Sequence, residues 1–232
     1  AGNTGPAESV SWSVDTAAPD APQISGAPTG RTKSTSAAIS LSAELGTTLT
    51  CSVNGGDAGS CEGVSFTDMT DGPYSLSVTA TDTAGNTSAA ATASWTVDTA
   101  APAAPELSGA PASLTNSTSA SIGVSAEPGA SLTCSIDGGD YEACASPVTR
   151  SDLADGPHSV AVKATDVAGN TSSAATASWT VDASAPSAPQ LSGAPSALTN
   201  SKSASVSASA EEGATLTCSV DGGAYSACDS PK

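Results

Sequence analysis

The chain has 232 residues, 3% aromatic residues and a formal net charge of −17, with only six Lys and Arg. This acidic balance excludes the basic footprint that binding to nucleic acid or to an anionic membrane surface requires. It is compatible with divalent cations, and it also keeps an extended protein soluble. The single Phe and single Met predict thin cores, rich in Ala and Val, and domains of marginal stability.

One stretch occurs three times and organises the chain. It reads SWSVDTAAPDAP from Ser11, SWTVDTAAPAAP from Ser94 and SWTVDASAPSAP from Ser178. Trp and Val alternate with Ser and Thr in each copy, which is typical of a strand with one buried face. An Asp ends the strand, and two prolines then restrict the backbone. The stretch therefore predicts a last strand followed by a semi-rigid joint to the next domain.

The spacing of these motifs predicts a tandem array. Trp12, Trp95 and Trp179 lie 83 and 84 residues apart, and the first cysteine of each cysteine pair keeps the same spacing. We therefore expect a last strand of a preceding repeat, two whole repeats and the first half of a further repeat, at 1–17, 18–100, 101–184 and 185–232 respectively. Because both ends fall inside repeats, we expect the sequence to be a window from a longer array.

Short alternating segments fill the repeat at 101–184 in chain order. They predict a strand at Glu106–Gly109, further strands whose apolar side chains face the core, and a closing strand at Ala175–Asp182. The expected inward residues are Ala120, Ile122, Val124, Ala126, Leu132, Cys134, Ile136, Val160, Val162 and Ala164. Their counterparts in the repeat at 18–100 are Ile39, Leu41, Leu49, Val53, Leu76, Val78, Trp95 and Val97. With no helical period and frequent turn signals, the pattern indicates an all-β sandwich.

Each cysteine pair has the form C-S-[VI]-[ND]-G-G-x-x-x-x-C, which predicts a disulfide across one hairpin. The predicted bonds are Cys51–Cys61, Cys134–Cys144 and Cys218–Cys228. A three-residue loop, Gly138–Asp140, would set Cys134 directly opposite Cys144. Zinc binding and redox chemistry are the alternatives, but a zinc site usually needs four close ligands and these pairs stand without His. Structural disulfides indicate an oxidising, extracellular setting.

Catalytic constellations are absent from the repeats, so we expect no enzyme. The only His is His158, and Tyr74 takes its place in the other repeat, which favours a cap at a strand corner. No Ser-His-Asp or Cys-His set can be assembled twice. Asn86, Asn116 and Asn170 begin N-x-S/T patterns, which arise by chance in a chain rich in Ser and Thr.

The ordered set CSVDGGAYSAC, LADGPHSVAVKATDVAGNTS and ASWTVDTAAPAAP resembles the bacterial immunoglobulin-like repeats of large secreted and cell-surface adhesins. The resemblance covers essentially the whole chain. It implies an all-β fold of tandem immunoglobulin-like β-sandwiches in a linear array, located at the bacterial cell surface or outside the cell. Such arrays are often used as stalks or extenders.

The resemblance also implies a possible cofactor, calcium bound between domains. The incoming linker of a sandwich lies near two loops, so the joints would collect oxygen ligands of the kind that calcium prefers. The candidate ligands are Asp15, Glu44, Asp82 and Asn86 at the first joint, Asp98, Glu127, Asp166 and Asn170 at the second, and Asp182 and Glu211 at the third. The alternative is that these residues only form turns.

Three functions follow from these observations. The first is a non-enzymatic stalk or extender segment of a long secreted or cell-surface adhesin-like protein, whose partners are the neighbouring repeats of the same chain. The second is a building unit of an extracellular filament or sheath, whose partners are other copies of the chain. The third is a module that binds glycan or protein for a secreted enzyme, for which Tyr141 and Tyr225 are the candidate aromatic contacts. No nucleic-acid partner and no membrane segment is expected in this sequence.

Overall fold

The computed structural model describes residues 1–228, which contain strands, turns and loops. In this part of the chain no helix is long and apolar enough to cross a membrane. The chain divides into two compact units. The first unit contains Ala1–Ala110, Ser121–Val148 and Ser159–Ala177, and the second contains Pro111–Ala120, Thr149–His158 and the chain from Ser178 onward. The repeat boundaries stay a prediction, and residues 229–232 of the last predicted repeat lie outside the described residues.

The repeat at 18–100 lies in the first unit and contains seven strands. These are β1 (Gln23–Ser25), β2 (Gly30–Thr32), β3 (Ser40–Ser42), β4 (Thr48–Val53), β5 (Gly59–Ser60), β6 (Gly72–Thr81) and β7 (Ala91–Val97). One sheet pairs β1 with β3, and a second sheet has the order β2-β7-β6-β4-β5. All pairs are antiparallel except β2 and β7, which run parallel. Two sheets with this pairing define the predicted all-β fold.

The next repeat contains eight strands. These are β8 (Glu106–Ser108), β9 (Leu114–Thr115), β10 (Ala120–Ser125), β11 (Ser131–Ile136), β12 (Glu142–Cys144), β13 (Val148–Arg150), β14 (Gly156–Thr165) and β15 (Ala175–Val181). In the first unit β10 pairs with β8, and β11 pairs with both β12 and β14, all antiparallel. In the second unit β9 runs parallel to β15. These pairings repeat those of β3 with β1, β4 with β5 and β6, and β2 with β7.

The two terminal segments form fewer strands than the whole repeats. The last segment has β16 (Gln190–Ser192) paired with β17 (Ser207–Ser209), and β18 (Thr217–Cys218) paired with β19 (Ser226–Ala227). Residues 1–17 form no strand, and Val10, Trp12 and Val14 are largely exposed. A strand needs a neighbouring strand for its backbone hydrogen bonds and an apolar face to cover its side chains. The described chain offers neither to this segment.

The core of the repeat at 18–100 is built on the two long strands β6 and β7. Leu76, Val78, Trp95 and Val97 are buried as predicted, and Ile39, Leu41, Leu49 and Val53 pack against them while partly exposed. Phe66 and Met69 are also buried, and Phe66 meets Trp95 edge to face with ring centroids 4.9 Å apart. The alternation rule missed these two residues because they lie in an irregular stretch between β5 and β6, where a period of two does not apply.

In the next repeat the inward row is also largely as predicted. Ala120, Ile122, Val124, Cys134, Val160, Val162 and Ala164 are buried, while Leu132 and Ile136 are half-buried. The prediction for Ala126 is wrong, since this residue is exposed. Strand β10 ends at Ser125, so the alternation does not continue into the turn that follows.

The predicted hairpin register at the cysteine pairs is also wrong. Asp137 and Gly138 both have positive φ, and the Gly139 N–H donates to the Ile136 carbonyl at 2.9 Å. This is a two-residue turn of the kind that matches strand twist, rather than a three-residue loop. This turn alone would set Cys134 opposite Tyr141. The second strand holds one extra residue after the turn, so Cys134 lies opposite Glu142, and Cys144 lies opposite Leu132. The Asn54-Gly55 turn of the first copy follows the same geometry.

The shifted register still allows the disulfides, because an offset of two residues keeps both cysteines on one face of the sheet. The structure contains the bonds Cys51–Cys61, Cys134–Cys144 and Cys218–Cys228, with Cα–Cα distances of 5.0, 5.8 and 5.7 Å. Each bond crosses a hairpin diagonally. It therefore fixes a hairpin rather than the spacing of two sheets.

Tyr74 and His158 occupy matching corners, which confirms the prediction that they cap a strand. The Thr70 N–H donates to the Tyr74 hydroxyl at 3.0 Å. His158 Nε2 donates to the Ala154 carbonyl at 2.9 Å. Each ring also lies beside a buried Trp, with centroids 6.1 Å apart for Tyr74 and Trp95 and 6.2 Å apart for His158 and Trp179. The single His thus has a structural role.

Removing one hairpin disulfide tests how much the bond contributes to stability. We expect the double substitution of Cys134→Ser and Cys144→Ser to lower the free energy of unfolding by about 3 kcal/mol, because closing so short a loop restricts the unfolded chain. Urea denaturation of both proteins would measure the difference. A reducing agent should lower the stability of the parent chain further than that of the variant, which keeps two bonds. Unchanged stability in the double variant would contradict the prediction.

Candidate functional site at the repeat joints

The loop before the last strand of each whole repeat has one construction, which we call the Asx loop. It comprises Asp82–Asn86 in the first repeat and Asp166–Asn170 in the second. Asp166 Oδ1 accepts hydrogen bonds from the N–H groups of Ala168 (2.9 Å) and Asn170 (2.8 Å), and Oδ2 accepts one from Asn170 Nδ2 (2.9 Å). The loop of the first repeat has the same three bonds at 2.9, 2.8 and 2.8 Å. The carboxylate thus holds the loop closed through N–H donors.

A glycine makes this closure possible. Gly85 and Gly169 have φ of 95° and 93°, in the region that side chains rarely adopt. The Gly169 N–H donates to the Asp166 carbonyl at 3.2 Å, and the Asp166 N–H donates to the Asn170 carbonyl at 3.0 Å. The sequence T-D-x-A-G-N is therefore the signature of a loop that projects its Asn side chain in one direction.

That Asn side chain reaches the Asp of the preceding repeated stretch, in its S-W-x-V-D part. Asn86 Nδ2 donates to the Asp15 carbonyl at 3.1 Å, and Asn170 Nδ2 donates to the Asp98 carbonyl at 2.7 Å. Both pairs lie within the first compact unit. The structure thus brings together six of the ten predicted joint residues, and it uses the backbone of Asp15 and Asp98 rather than their carboxylates.

Two basic residues strengthen the second of these joints, and sequence analysis missed both. The Lys33 ammonium donates to the Gly169 carbonyl at 2.8 Å, and the Lys33 N–H donates to the Ala168 carbonyl at 3.2 Å. Arg31 forms an ion pair with Asp98 at 3.2 Å. The signal in the sequence was that two of only six basic residues lie in one short segment. The second repeat has Leu114 and Asn116 at these positions.

A separate carboxylate fixes the start of each linker, and it too was missed. Asp71 accepts hydrogen bonds from the N–H and the hydroxyl of Thr99, both at 2.8 Å. In the next repeat Asp155 accepts from the Ala183 N–H at 2.8 Å and from the Ser184 hydroxyl at 2.6 Å. Both carboxylates belong to D-G-P sequences at the start of a long strand. The linker therefore leaves each sandwich in a fixed direction.

The three predicted Glu ligands occupy turns, and two of them lie beside a linker. The Glu44 carbonyl accepts from Thr47, and the Glu127 carbonyl accepts from Ala130. Glu127 also lines a shallow groove of about 240 Å³ with Ala103 and Ala104. In the second unit Glu211 Oε2 accepts from the Ser187 N–H at 3.1 Å, and Asp182 Oδ1 accepts from the Ser184 N–H at 3.2 Å. Glu127 and Glu211 thus lie near the proline end of a linker.

The arrangement does not fit a calcium ion. Calcium needs six to eight converging oxygen atoms, whereas the centre of each Asx loop holds an amide NH₂ group that donates to oxygen atoms around it. Among residues 1–228, no group of three or more His, Cys, Asp or Glu side chains is placed to hold a metal ion. Calcium at these joints therefore stays a prediction of the sequence, without support from the side-chain geometry.

Hydrogen bonding also shifts the acidity of these carboxylates. The Asn86 side-chain amide is the main cause that lowers the pKa of Asp82, and the Asn170 amide does the same for Asp166, against a usual value of 3.8. The Ser184 hydroxyl is the main cause that lowers the pKa of Asp155. The donors favour the ionised form of each carboxyl group because they bind its negative charge.

The N-x-S/T patterns at Asn86 and Asn170 have a structural explanation in this loop. The Asn bonds to the linker, and the Thr pairs with another Thr, with hydroxyl oxygens 3.1 Å apart for Thr81 and Thr87 and 3.0 Å apart for Thr165 and Thr171. The Ser hydroxyl is buried and accepts a backbone N–H, as in the Ala164 N–H bond to Ser172 at 3.0 Å. All three residues are used by the fold.

The fold and these joints define the class of protein, a tandem array of β-sandwich domains. The profile of the bacterial Ig-like domain family matches residues 20–99 and 103–183. The chain therefore belongs to this family and carries two tandem copies of its domain. No curated protein matches the chain.

Several solved structures are similar to this chain. The fibronectin(III)-like modules of Clostridium thermocellum CbhA match at 15% identity and a TM-score of 0.40, covering 69% of this chain and 93% of the other. A 1.5-MDa bacterial ice-binding adhesin matches at 21% identity and a TM-score of 0.31, covering 75% and 67%. The FN1-FN3 domains of chicken CNTN1 match at 13% identity and a TM-score of 0.29, covering 87% and 79%.

The buried Ser hydroxyl of the Asx loop can be tested by deletion. We expect Ser172→Ala to lower the free energy of unfolding by about 1–3 kcal/mol, because the buried Ala164 N–H loses its acceptor. Urea denaturation would measure the change. The matched control is Ser173→Ala, an exposed neighbour, which should stay within about 0.5 kcal/mol. Equal stability of the two variants would contradict this role for Ser172.

The lowered pKa of the Asp166 carboxyl group predicts that stability is lost in acid. A carboxyl group whose pKa is lower in the folded state contributes stability that is complete above its unfolded value of 3.8 and is lost as the pH falls through the folded value. Thermal melts between about pH 5 and pH 2 should therefore show a steeper loss for the parent chain than for Asp166→Asn. Asp140→Asn, which removes the same charge at an exposed position, is the control for the change in net charge. Parallel curves for the parent and Asp166→Asn would refute the assignment.

Proposed function

We propose that this chain is a non-enzymatic stalk or extender segment of a long secreted or cell-surface bacterial protein. One observation carries the proposal: the same Asn-to-linker hydrogen bond occurs at Asn86 with Asp15 and again at Asn170 with Asp98. A contact that recurs at matching positions of successive repeats sets the same geometry each time. A segment built this way serves to span a distance.

The linkers support the same proposal. Each whole repeat fixes the first residues of its outgoing linker through Asp71 or Asp155, and two prolines follow in each linker. Proline restricts its own backbone and that of the residue before it, so the linker keeps an extended form at little entropic cost. Stiffness then comes from local hydrogen bonds and covalent geometry.

The disulfides support a location outside the cytoplasm. Bonds of this kind persist in oxidising compartments and are rare in the cytosol. Small domains with little large apolar surface gain stability from such bonds. A secreted or surface-exposed array is therefore the setting in which these repeats would be stable.

The two candidate stacking residues, Tyr141 and Tyr225, favour a stalk over a sugar-binding module. Tyr141, one of the two candidate stacking residues, has the Lys163 ammonium 4.3 Å from its ring centroid. A ring face covered by a cation is less available for a sugar. Tyr225 is the more exposed of the two, at 75%, and it has Ala58 as its counterpart in the first repeat.

Electron microscopy of the intact protein, on the cell and after release, tests the proposal. We expect single thin beaded rods with a distinct domain at one end. Shortening the array in frame by residues 101–184 should shorten each rod by one bead and leave binding by the end domain unchanged. Ordered filaments of several chains would overturn the stalk and favour the building-unit hypothesis, since the repeats themselves would then form the contacts.

A further inference from the structure

The joint between Asp98 and Asn170 holds a hydrogen-bond donor at the place where a bridging cation would lie. Asn170 Nδ2 is bonded to the Asp98 carbonyl at 2.7 Å and to Asp166 Oδ2 at 2.9 Å. Both partners are pure acceptors, so only the NH₂ end of the amide can point at them. Rotating the amide would place its oxygen against two other oxygens, which a buried side chain with an exposed fraction of 8% cannot tolerate.

A positive charge lies beside this amide. The Lys33 ammonium donates to the Gly169 carbonyl at 2.8 Å, one residue before Asn170, and the Arg31 guanidinium contacts the Asp98 carboxylate at 3.2 Å. In a chain of formal charge −17, these two cations lie on the segment that faces an anionic loop. They supply the charge balance that a divalent ion would otherwise provide.

We propose that Asn170 and Lys33 close this joint by hydrogen bonds in place of a bound cation, so that the joint stays closed without calcium. The amide bridges carboxylate and carbonyl as a metal ion would, and the ammonium offsets the charge of the loop. This inference concerns the joint alone and holds whether the array is a stalk or a filament unit.

One substitution tests whether the Asn170 amide takes the place of a cation. Asn170→Asp would replace the bridging donor with a second carboxylate facing Asp166 and the Asp98 carbonyl. Three oxygen-bearing groups would then converge with no N–H between them, which is the arrangement that a hard cation favours. The variant should therefore lose the joint contact in chelator and recover it in calcium.

One backbone amide reports directly on joint closure. The Lys33 N–H donates to the Ala168 carbonyl at 3.2 Å, so its hydrogen-exchange rate rises when the joint opens. We would measure this rate by NMR in the parent chain, in Asn170→Asp and in Asn116→Asp, each with millimolar calcium and with chelator. Asn116 is exposed, and its substitution carries the same change in charge.

For the parent chain and Asn116→Asp we expect the same Lys33 exchange rate in calcium and in chelator. For Asn170→Asp we expect exchange to be about tenfold faster in chelator, the size expected for a lost charge-assisted hydrogen bond, and to return towards the parent rate in calcium. A parent rate that rises in chelator would overturn the proposal, because a cation would then be holding the joint. Unchanged exchange in Asn170→Asp in chelator would also overturn it.

A readout on the parent chain keeps the proposal falsifiable if Asn170→Asp does not fold. The side-chain NH₂ protons of Asn170 should give slowly exchanging NMR signals that do not move when calcium is added. Signals that shift in a saturable way with calcium would mean that the amide turns its oxygen to a metal ion, and the proposal would fall.

Discussion

The structure of each joint depends on one carboxylate surrounded by N–H donors. Asp166 closes its own loop with backbone N–H groups, and the same carboxylate holds the Asn170 amide in the orientation that reaches the Asp98 carbonyl. Without that carboxylate the amide would be free to rotate, and the contact with the linker would compete with water. A local turn and a long-range contact are thus one hydrogen-bonded unit, which is why both repeat together in the first copy.

The thin core explains why the stability of the chain depends on hydrogen bonds and disulfides. Leu76, Val78, Trp95 and Val97 form the centre of the first repeat on two long strands, and besides Cys51, Phe66 and Met69 the apolar residues packed against them are only partly covered. Small domains bury a low fraction of their surface, so a hairpin disulfide and buried Ser hydroxyls contribute a large share of a marginal free energy. Such devices act locally, and each repeat can therefore be stable with few contacts beyond its neighbours.

The strands and disulfides that follow a regular spacing could be predicted from the sequence. Alternating residues located β10, β11, β14 and β15, and evenly spaced cysteines indicated the disulfides now present in the structure. The prediction from alternating residues failed where the backbone is not a regular strand. The Asp137-Gly138 turn uses two positive φ angles and is followed by one extra residue, so the register differs from the predicted one by two residues. Phe66 and Met69 enter the core from an irregular segment. The joint residues could be grouped from the sequence, but not the direction of the Asn170 amide, because that depends on which atoms surround it.

The residue types of the T-D-x-A-G-N-T-S motif suggest one set of roles, and the fold gives these residues another. Its amino-acid sequence matches a glycosylation signal and contains residue types that can bind calcium. In the fold, the Asn donates to a carbonyl of the linker, and the Ser accepts from a strand of its own sandwich. Carbonyl oxygens can only accept, so a linker backbone presented to this loop selects a donor. A joint made in this way is specified by backbone geometry, which leaves the residues of the linker free to vary between copies, as TAAPDAP after Asp15 and TAAPAAP after Asp98 do.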